Sequence, residues 1–198
     1  MFTRRQTALV YVAAALTLVF AGTVIYLELK PQGKELPRYR QLPAFALTNQ
    51  DGQPVTLDDL KGTVWLADFV YTTCPGPCPL ITAHMARLQQ KLPAGRETGL
   101  VSFSTDPEHD TPEVLKAYAK KFGATERWRF LTGPKEEVYD LINHGFMLAI
   151  AAPPGAPIIH STKIVLVDRT GTLRGFYDGT DGEVDGQILA DMRSLLEE

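Results

Sequence analysis

Three patterns of apolar and polar positions follow one another along the chain. From Ala8 to Leu27 apolar residues run unbroken by any charge, with Leu, Val, Ala, Phe and Ile dominant. A helix of that length rises roughly 30 Å, the thickness of a bilayer's hydrocarbon core. The stretch therefore predicts one transmembrane anchor over 8–27, behind a short stub over 1–7. Residues 28–43 read as a linker, rich in proline and charge from 31 onward and without period. From 44 to 198 short apolar runs alternate with helical spacings, the pattern of one folded domain.

Within that domain Phe45–Thr48 and Val55–Leu57 flank the turn residues Asn49, Gln50, Asp51 and Gly52, and predict a hairpin. Val64–Tyr71 is almost continuously apolar, as a strand buried on both faces should be. Proline is tolerated only in a first helical turn, so Pro77 and Pro79 start a helix near 77, with Ile81, Met85, Leu88 and Leu92 inward. A strand over Leu100–Ser104 precedes a helix capped by Asp110 or Thr111, whose buried face is Val114, Leu115, Tyr118 and Phe122. Trp128–Leu131 predicts a strand. Pro134–His144 predicts a helix ended by Gly145, and Phe146–Ala151 an extended segment. After the loop 153–157, Lys163–Val167 and Leu173–Tyr177 form a second hairpin, and Val184, Ile188, Met192 and Leu195 mark a last helix. Strands alternating with helices, then a hairpin and a helix, describe an α/β class with a mixed sheet. A strand feeding a cysteine-bearing helix start selects the thioredoxin-like arrangement, here with an N-terminal hairpin extension.

Charge adds orientation. Arg4 and Arg5 stay on the cytoplasmic side of the span, which sets the residues after Glu28 outside. A cleaved signal peptide would carry a shorter apolar region, roughly 7–15 residues, and a small-x-small site. Tyr26-Leu27-Glu28-Leu29 stands there instead, and too few residues precede the span for an organelle transit peptide. The expected location is a bacterial inner membrane, single-pass, with the domain on the periplasmic side. The formal net charge is -3 and no run of Lys or Arg forms a backbone-binding stripe, so no nucleic acid is expected as a partner. With 2 cysteines in 198 residues, a disulfide framework is not the source of stability.

Those cysteines carry the candidate chemistry. Cys78 falls in the first turn of a helix, where the dipole favours thiolate, and Cys74 lies in the loop before it. Thiolate both attacks disulfides and holds metals, so the C-x3-C spacing alone leaves a structural disulfide, a redox pair and a metal site open. His160 narrows the choice. A strand over 163–167 running antiparallel to 64–70 begins beside the other's end, which sets His160 at the edge that bears the cysteine loop. Two thiolates and an imidazole make a soft three-donor set suited to copper rather than magnesium or calcium, and structural zinc usually takes four protein ligands.

The remaining polar candidates read more plainly. His84, six residues beyond Cys78, falls on another face of the same helix and reads as solvated; His109 sits in an exposed charged loop. His144 has a dipole-based reason to stand in a last helical turn. Met85 lies two turns from Cys78 and reads as core. Asp106 and Asp110 read as turn and cap residues. Asp68, inside an apolar strand, needs a partner and is a candidate for supporting the site.

The blocks DFVYTTCPGPCP, SFSTDPEHDTPEVLKAYAKKFG and HSTKIVLVDRTGTLRGFYDG resemble, in order, the three signature blocks of the SCO/SenC family, over roughly residues 43–197. The resemblance implies a thioredoxin-fold copper chaperone that assists assembly of the binuclear copper centre of cytochrome c oxidase. It implies Cys74, Cys78 and His160 as metal ligands, Cu(I) or Cu(II) as the ion, and a copper-accepting oxidase subunit as partner. In an oxidising compartment the cysteine pair closes unless a periplasmic thiol reductant opens it, which adds a second partner. Two positions depart from the pattern: Gly76 stands where many members have Asp, and Ile159 where some have an acid. Peroxiredoxins need Pro and Thr where this chain has Ala67 and Tyr71, and thioredoxin-type reductases use C-x-x-C. The rival reading is a membrane-anchored thiol-disulfide oxidoreductase, with Cys74 and Cys78 as its redox pair, that reduces the acceptor's cysteines. A copper or redox sensor is a third.

Overall fold

The structure is a computed structural model and describes residues 14–23, 35–93, 95, 97–153 and 156–198. Residues 14–23, from the middle of the expected anchor, are helical. The rest of that anchor, the stub 1–7 and residues 28–34 of the linker lie outside the described residues. Among the described residues no helix is long and apolar enough to cross a membrane. Contacts separate residues 1–34 from a compact unit, Glu35–Glu198.

That unit begins with β1 (Ala46–Asn49) and β2 (Pro54–Thr56), the expected hairpin. Asn49 Oδ1 accepts from the amides of Asp51 and Gln53 at 2.9 Å each, and Gly52 takes a φ of 75°, which closes the turn. Five further strands follow: β3 (Val64–Val70), β4 (Thr98–Ser104), β5 (Trp128–Thr132), β6 (Lys163–Val167) and β7 (Leu173–Asp178). They form one mixed sheet in the order β2-β1-β5-β4-β3-β6-β7. Strands β3, β4 and β5 run parallel, and β6 is antiparallel to β3.

Every residue of β3 is buried, because the sheet is covered on both sides. Val64 and Leu66 face a core filled by Ile81, Met85 and Leu88 of α1 (Cys78–Lys91), Leu115 and Tyr118 of α2 (Pro112–Lys121), and residues of the last helix. Trp65, Ala67 and Phe69 face the other core, with Val138 of α3 (Lys135–Asp140) and with Phe146. The last helix, α4 (Asp185–Glu197), contributes Ile188, Met192 and Leu195. Full burial of each such side chain stabilises by about 1.5–3 kcal/mol. This is the mixed α/β, helix–sheet–helix arrangement that the alternation of elements predicts.

Three local expectations are corrected. The helix after Pro134 loosens into a π-helical turn over Leu141–Gly145, and Phe146–Ala151 is not a strand. Met147 takes a left-handed φ of 58°, and among the described residues the segment's β-pairing is the isolated bridge Ala151–Ile159. The third correction concerns the segment read as a free linker. From Glu35 to Pro43 it lies along β7: the Tyr39 amide donates to Leu173 O at 3.0 Å, the Leu173 amide to Arg40 O at 2.8 Å, and Leu36 and Leu42 are buried.

Arg174 holds that strap. Its fully buried guanidinium donates to the carbonyls of Leu36 and Pro37 and pairs with Asp168 at 3.0 Å and Glu198 at 2.7 Å. Arg174→Met is expected to cost about 3–5 kcal/mol in urea unfolding, since it strips buried Asp168 of its close partner and leaves only exposed Arg38, 3.8 Å away. Arg174 holds Glu198 below its ordinary range. Burial raises Asp168, but Thr170, the nearby amides and Arg174 outweigh it and lower it. Depressed carboxylates stabilise above their unfolded values near 4 and lose that contribution as pH falls through their folded values. The wild-type chain should therefore lose this stability in acid, and the variant should show a flatter dependence there.

Candidate metal centre

Strand β3 stops at Val70, whose carbonyl accepts from the Thr105 amide at 2.8 Å, and the chain turns back on itself, with the Cys74 amide donating to Tyr71 O at 3.2 Å. Pro77 then caps α1, accepting from the amides of Leu80 and Ile81 at 3.0 Å each. Cys78 is the first residue of the helix and is wholly buried, against Val70 and Tyr71, with half-buried Cys74 and Ile158 beside it. The antiparallel register of β6 on β3, Trp65 opposite Val167 and Ala67 opposite Val165, returns the chain to this edge from the other side. Mutual bonds between Ala151 and Ile159, at 2.9 and 2.8 Å, close the loop just before His160.

The outcome is convergence. Cys74 and Cys78 carry free thiols, and the donor atoms of Cys74, Cys78 and His160 all lie within 4.8 Å of one another. Cys78 Sγ stands 3.1 Å from His160 Nε2. His160 Nδ1 lies 3.0 Å from Ser161 O, an atom that only accepts, so Nδ1 carries the proton and Nε2 presents its lone pair to the sulfurs. Burial lowers the His160 pKa, which keeps the ring neutral as a metal ligand must be. A neutral imidazole with its outer nitrogen tied to a carbonyl, beside two thiols, fits a soft metal ion.

The thiols divide their roles in a way the helix dipole alone does not predict. Burial pushes the Cys78 thiol far up, and the neighbouring Cys74 adds to the rise. Cys74 is also raised by burial. Donors from Cys78, from the backbone of Cys78 and Gly76, and from the Tyr71 hydroxyl outweigh that and lower it. The thiol surrounded by stabilising donors is thus Cys74, in the loop, and at wholly buried Cys78 desolvation opposes the pull of the helix dipole toward thiolate. Metal binding must expel the Cys78 proton, so apparent affinity should climb with pH through neutrality, by about tenfold per unit for each proton displaced. A competition titration from pH 6 to 8 measures this; a flat profile would mean that buried Cys78 is not a ligand.

Tyr71 is the nearby residue that spacing does not flag. Its hydroxyl faces Cys74, burial pushes its pKa up to about 12, and its ring meets His160 edge-on at 5.5 Å. Among the other candidates, Met85 is core as expected and His144 is exposed against Asp140 at 2.7 Å. His84 is not solvated. It is buried, with Nδ1 2.9 Å from Gly179 O and Nε2 on the Asp185 carboxylate, which Lys91 also holds at 2.6 Å. Asp68 is wholly buried and accepts from Ser102; burial pushes its pKa up to about 7, and it is not among the converging donors. His109 is half-exposed, and Asp110 is fully buried rather than a cap; Thr111 caps α2 through the Val114 amide at 3.4 Å.

Comparison with known proteins adds family to geometry. The family model SCO1/SenC matches residues 34–197. A protein named SCO1 protein homolog, from Bacillus subtilis (strain 168), is 37% identical over 162 residues, which span 80% of this chain and 84% of that protein. The solved structure of BsSco, a member of the Sco family of cytochrome c oxidase assembly proteins, matches with a TM-score of 0.73 at 37% identity, over 82% of this chain and 96% of its own. Bradyrhizobium japonicum ScoI, solved with copper bound, matches with a TM-score of 0.64 at 26% identity, over 79% and 99% of the two chains. On this match across most of its length, the chain belongs to the SCO1/SenC family.

Proposed function

We propose that this chain is a membrane-anchored copper carrier that takes copper as cargo on Cys74, Cys78 and His160 and passes it to a copper-accepting subunit of cytochrome c oxidase. The observation that carries the reading is the convergence of two free thiols and one correctly oriented imidazole within 4.8 Å. The copper-bound relative and the assembly role stated for BsSco support it. Delivery proceeds by ligand exchange. Cys74 and His160 are both half-buried and within reach of an incoming donor, while wholly buried Cys78 holds the ion from beneath. A thiol reductant on the same side of the membrane restores the dithiol after oxidation. In a host lacking the chain, the oxidase should be depleted in its binuclear copper centre and partly restored by added copper. Full copper occupancy in that host would contradict the assignment.

The lowered Cys74 thiol favours one second reading, a thiol-disulfide reductase that prepares the acceptor's cysteines. His160 separates the two readings, because disulfide exchange has little need of it.

The proposed layout is a stub over 1–7, an anchor over 8–27, a linker, and a periplasmic copper-binding domain whose packing extends ahead of residue 44 to Glu35. A periplasm-dependent reporter fused after Glu198 should be active. Activity only from a cytoplasmic reporter would reverse the orientation, and a mature N-terminus near residue 28 would replace the anchor by a cleaved leader.

A further inference from the structure

Asp110 is fully buried in the loop after β4, and its side-chain bonds lead to the cysteine loop rather than into α2. The Thr72 amide lies 3.3 Å from Oδ1 and 3.2 Å from Oδ2, and the Thr72 hydroxyl donates to Oδ1. Ser104 Oγ donates to Oδ2 at 2.7 Å, and half-exposed His109 sets its Nδ1 3.1 Å from Oδ1. Thr72 sits just past the end of β3, so its amide finds in Asp110 the acceptor that the sheet no longer supplies. One residue earlier stands Tyr71, whose hydroxyl faces Cys74 and whose ring meets His160; two residues later stands Cys74 itself.

We propose that Asp110 is a positioning residue: by fixing Thr72 it holds Cys74 and Tyr71 against Cys78 and His160. The proposal rests on the reading of this centre given above. The segment from Tyr71 to Pro77 has no regular structure, and its thiol gains effective concentration at Cys78 only if the loop is tied down. The tie acts equally on closing a disulfide and on chelating an ion, because both bring Cys74 to Cys78.

The test uses the metal-free full chain equilibrated with glutathione. In that reaction oxidised glutathione takes two electrons and two protons from Cys74 and Cys78, giving the protein disulfide and two glutathione thiols. Asp110→Asn keeps the side chain's size but removes one of two accepting oxygens. It should lower the equilibrium constant for disulfide formation by about fivefold, as one ordering hydrogen bond is lost. Thr72→Ala should produce a similar drop, Thr72→Ser should keep the wild-type constant, and the double variant should fall no further than either single one. A residue that merely stabilises the fold weakens oxidised and reduced protein alike and leaves that constant unmoved. Where Asp110→Asn does not fold, the Thr72 pair carries the test. A constant within about twofold of wild type in folded Thr72→Ala, or additive losses in the double variant, would overturn the proposal. Absence of copper binding by the wild type would overturn the copper reading alone, since no copper enters this measurement.

Discussion

Replacing His160 by Ala should weaken copper binding by more than about tenfold while leaving disulfide exchange by Cys74 and Cys78 within a few-fold of wild type. Losses of groups that only support metal ligands already cost about 10–100-fold in affinity, and His160 Nε2 is itself one of three donors. The substitution leaves the features that activate Cys74 in place: the backbone N–H groups of Gly76 and Cys78, the Tyr71 hydroxyl and the Cys78 thiol. What changes for exchange is the acceptor 3.1 Å from Cys78 Sγ, whose loss strands one weak thiol donor. Competition with a chelating probe measures the first effect, and the rate with a small disulfide measures the second. Oxidase assembly at limiting copper joins them: if His160→Ala restores the oxidase as fully as wild type, delivery by this centre is wrong and the reductase reading takes its place.

The second large effect follows from the thiols themselves. Oxidation of Cys74 and Cys78 to a disulfide should lower copper affinity by several orders of magnitude, on the order of a thousandfold or more, because it removes two of three donors and both thiolates at once. His160 alone remains, half-buried and held by Ser161. Reduction should restore one copper per chain. Equal affinity in the two states would remove the cysteines from the site. Because copper and the disulfide exclude each other, a carrier in an oxidising compartment depends on a reductant to be loaded.

How much of this was legible before the structure depends on the distance over which each residue's setting is decided. Val64–Val70 announces a doubly covered strand because burial on both faces leaves a continuous apolar run, and the two cores that receive its alternate side chains follow. His160 could be brought to the cysteines from topology, since an antiparallel β6 beside β3 fixes which edge its start occupies. The packed strap 35–43 was not legible: its prolines and charges resemble a free linker, and the residue that holds it, Arg174, lies about 137 positions away. His84 does fall on a face away from Cys78, but that face is covered by the start of α4, through a contact with Asp185 across 101 positions. Asp110 looks like a cap in sequence because a clamp and a cap use the same residue type; only its burial, and Thr72 38 positions away, tell them apart. For Cys78 the dipole was legible and the desolvation that opposes it was not.

The central claim is a single copper held by Cys74, Cys78 and His160, and X-ray absorption of the reduced, copper-loaded full chain addresses it most directly. One copper per chain, with two sulfur scatterers and one imidazole nitrogen, and the imidazole signal lost in His160→Ala, is the predicted result. Copper bound by sulfur alone, or an imidazole signal that survives in His160→Ala, would contradict it.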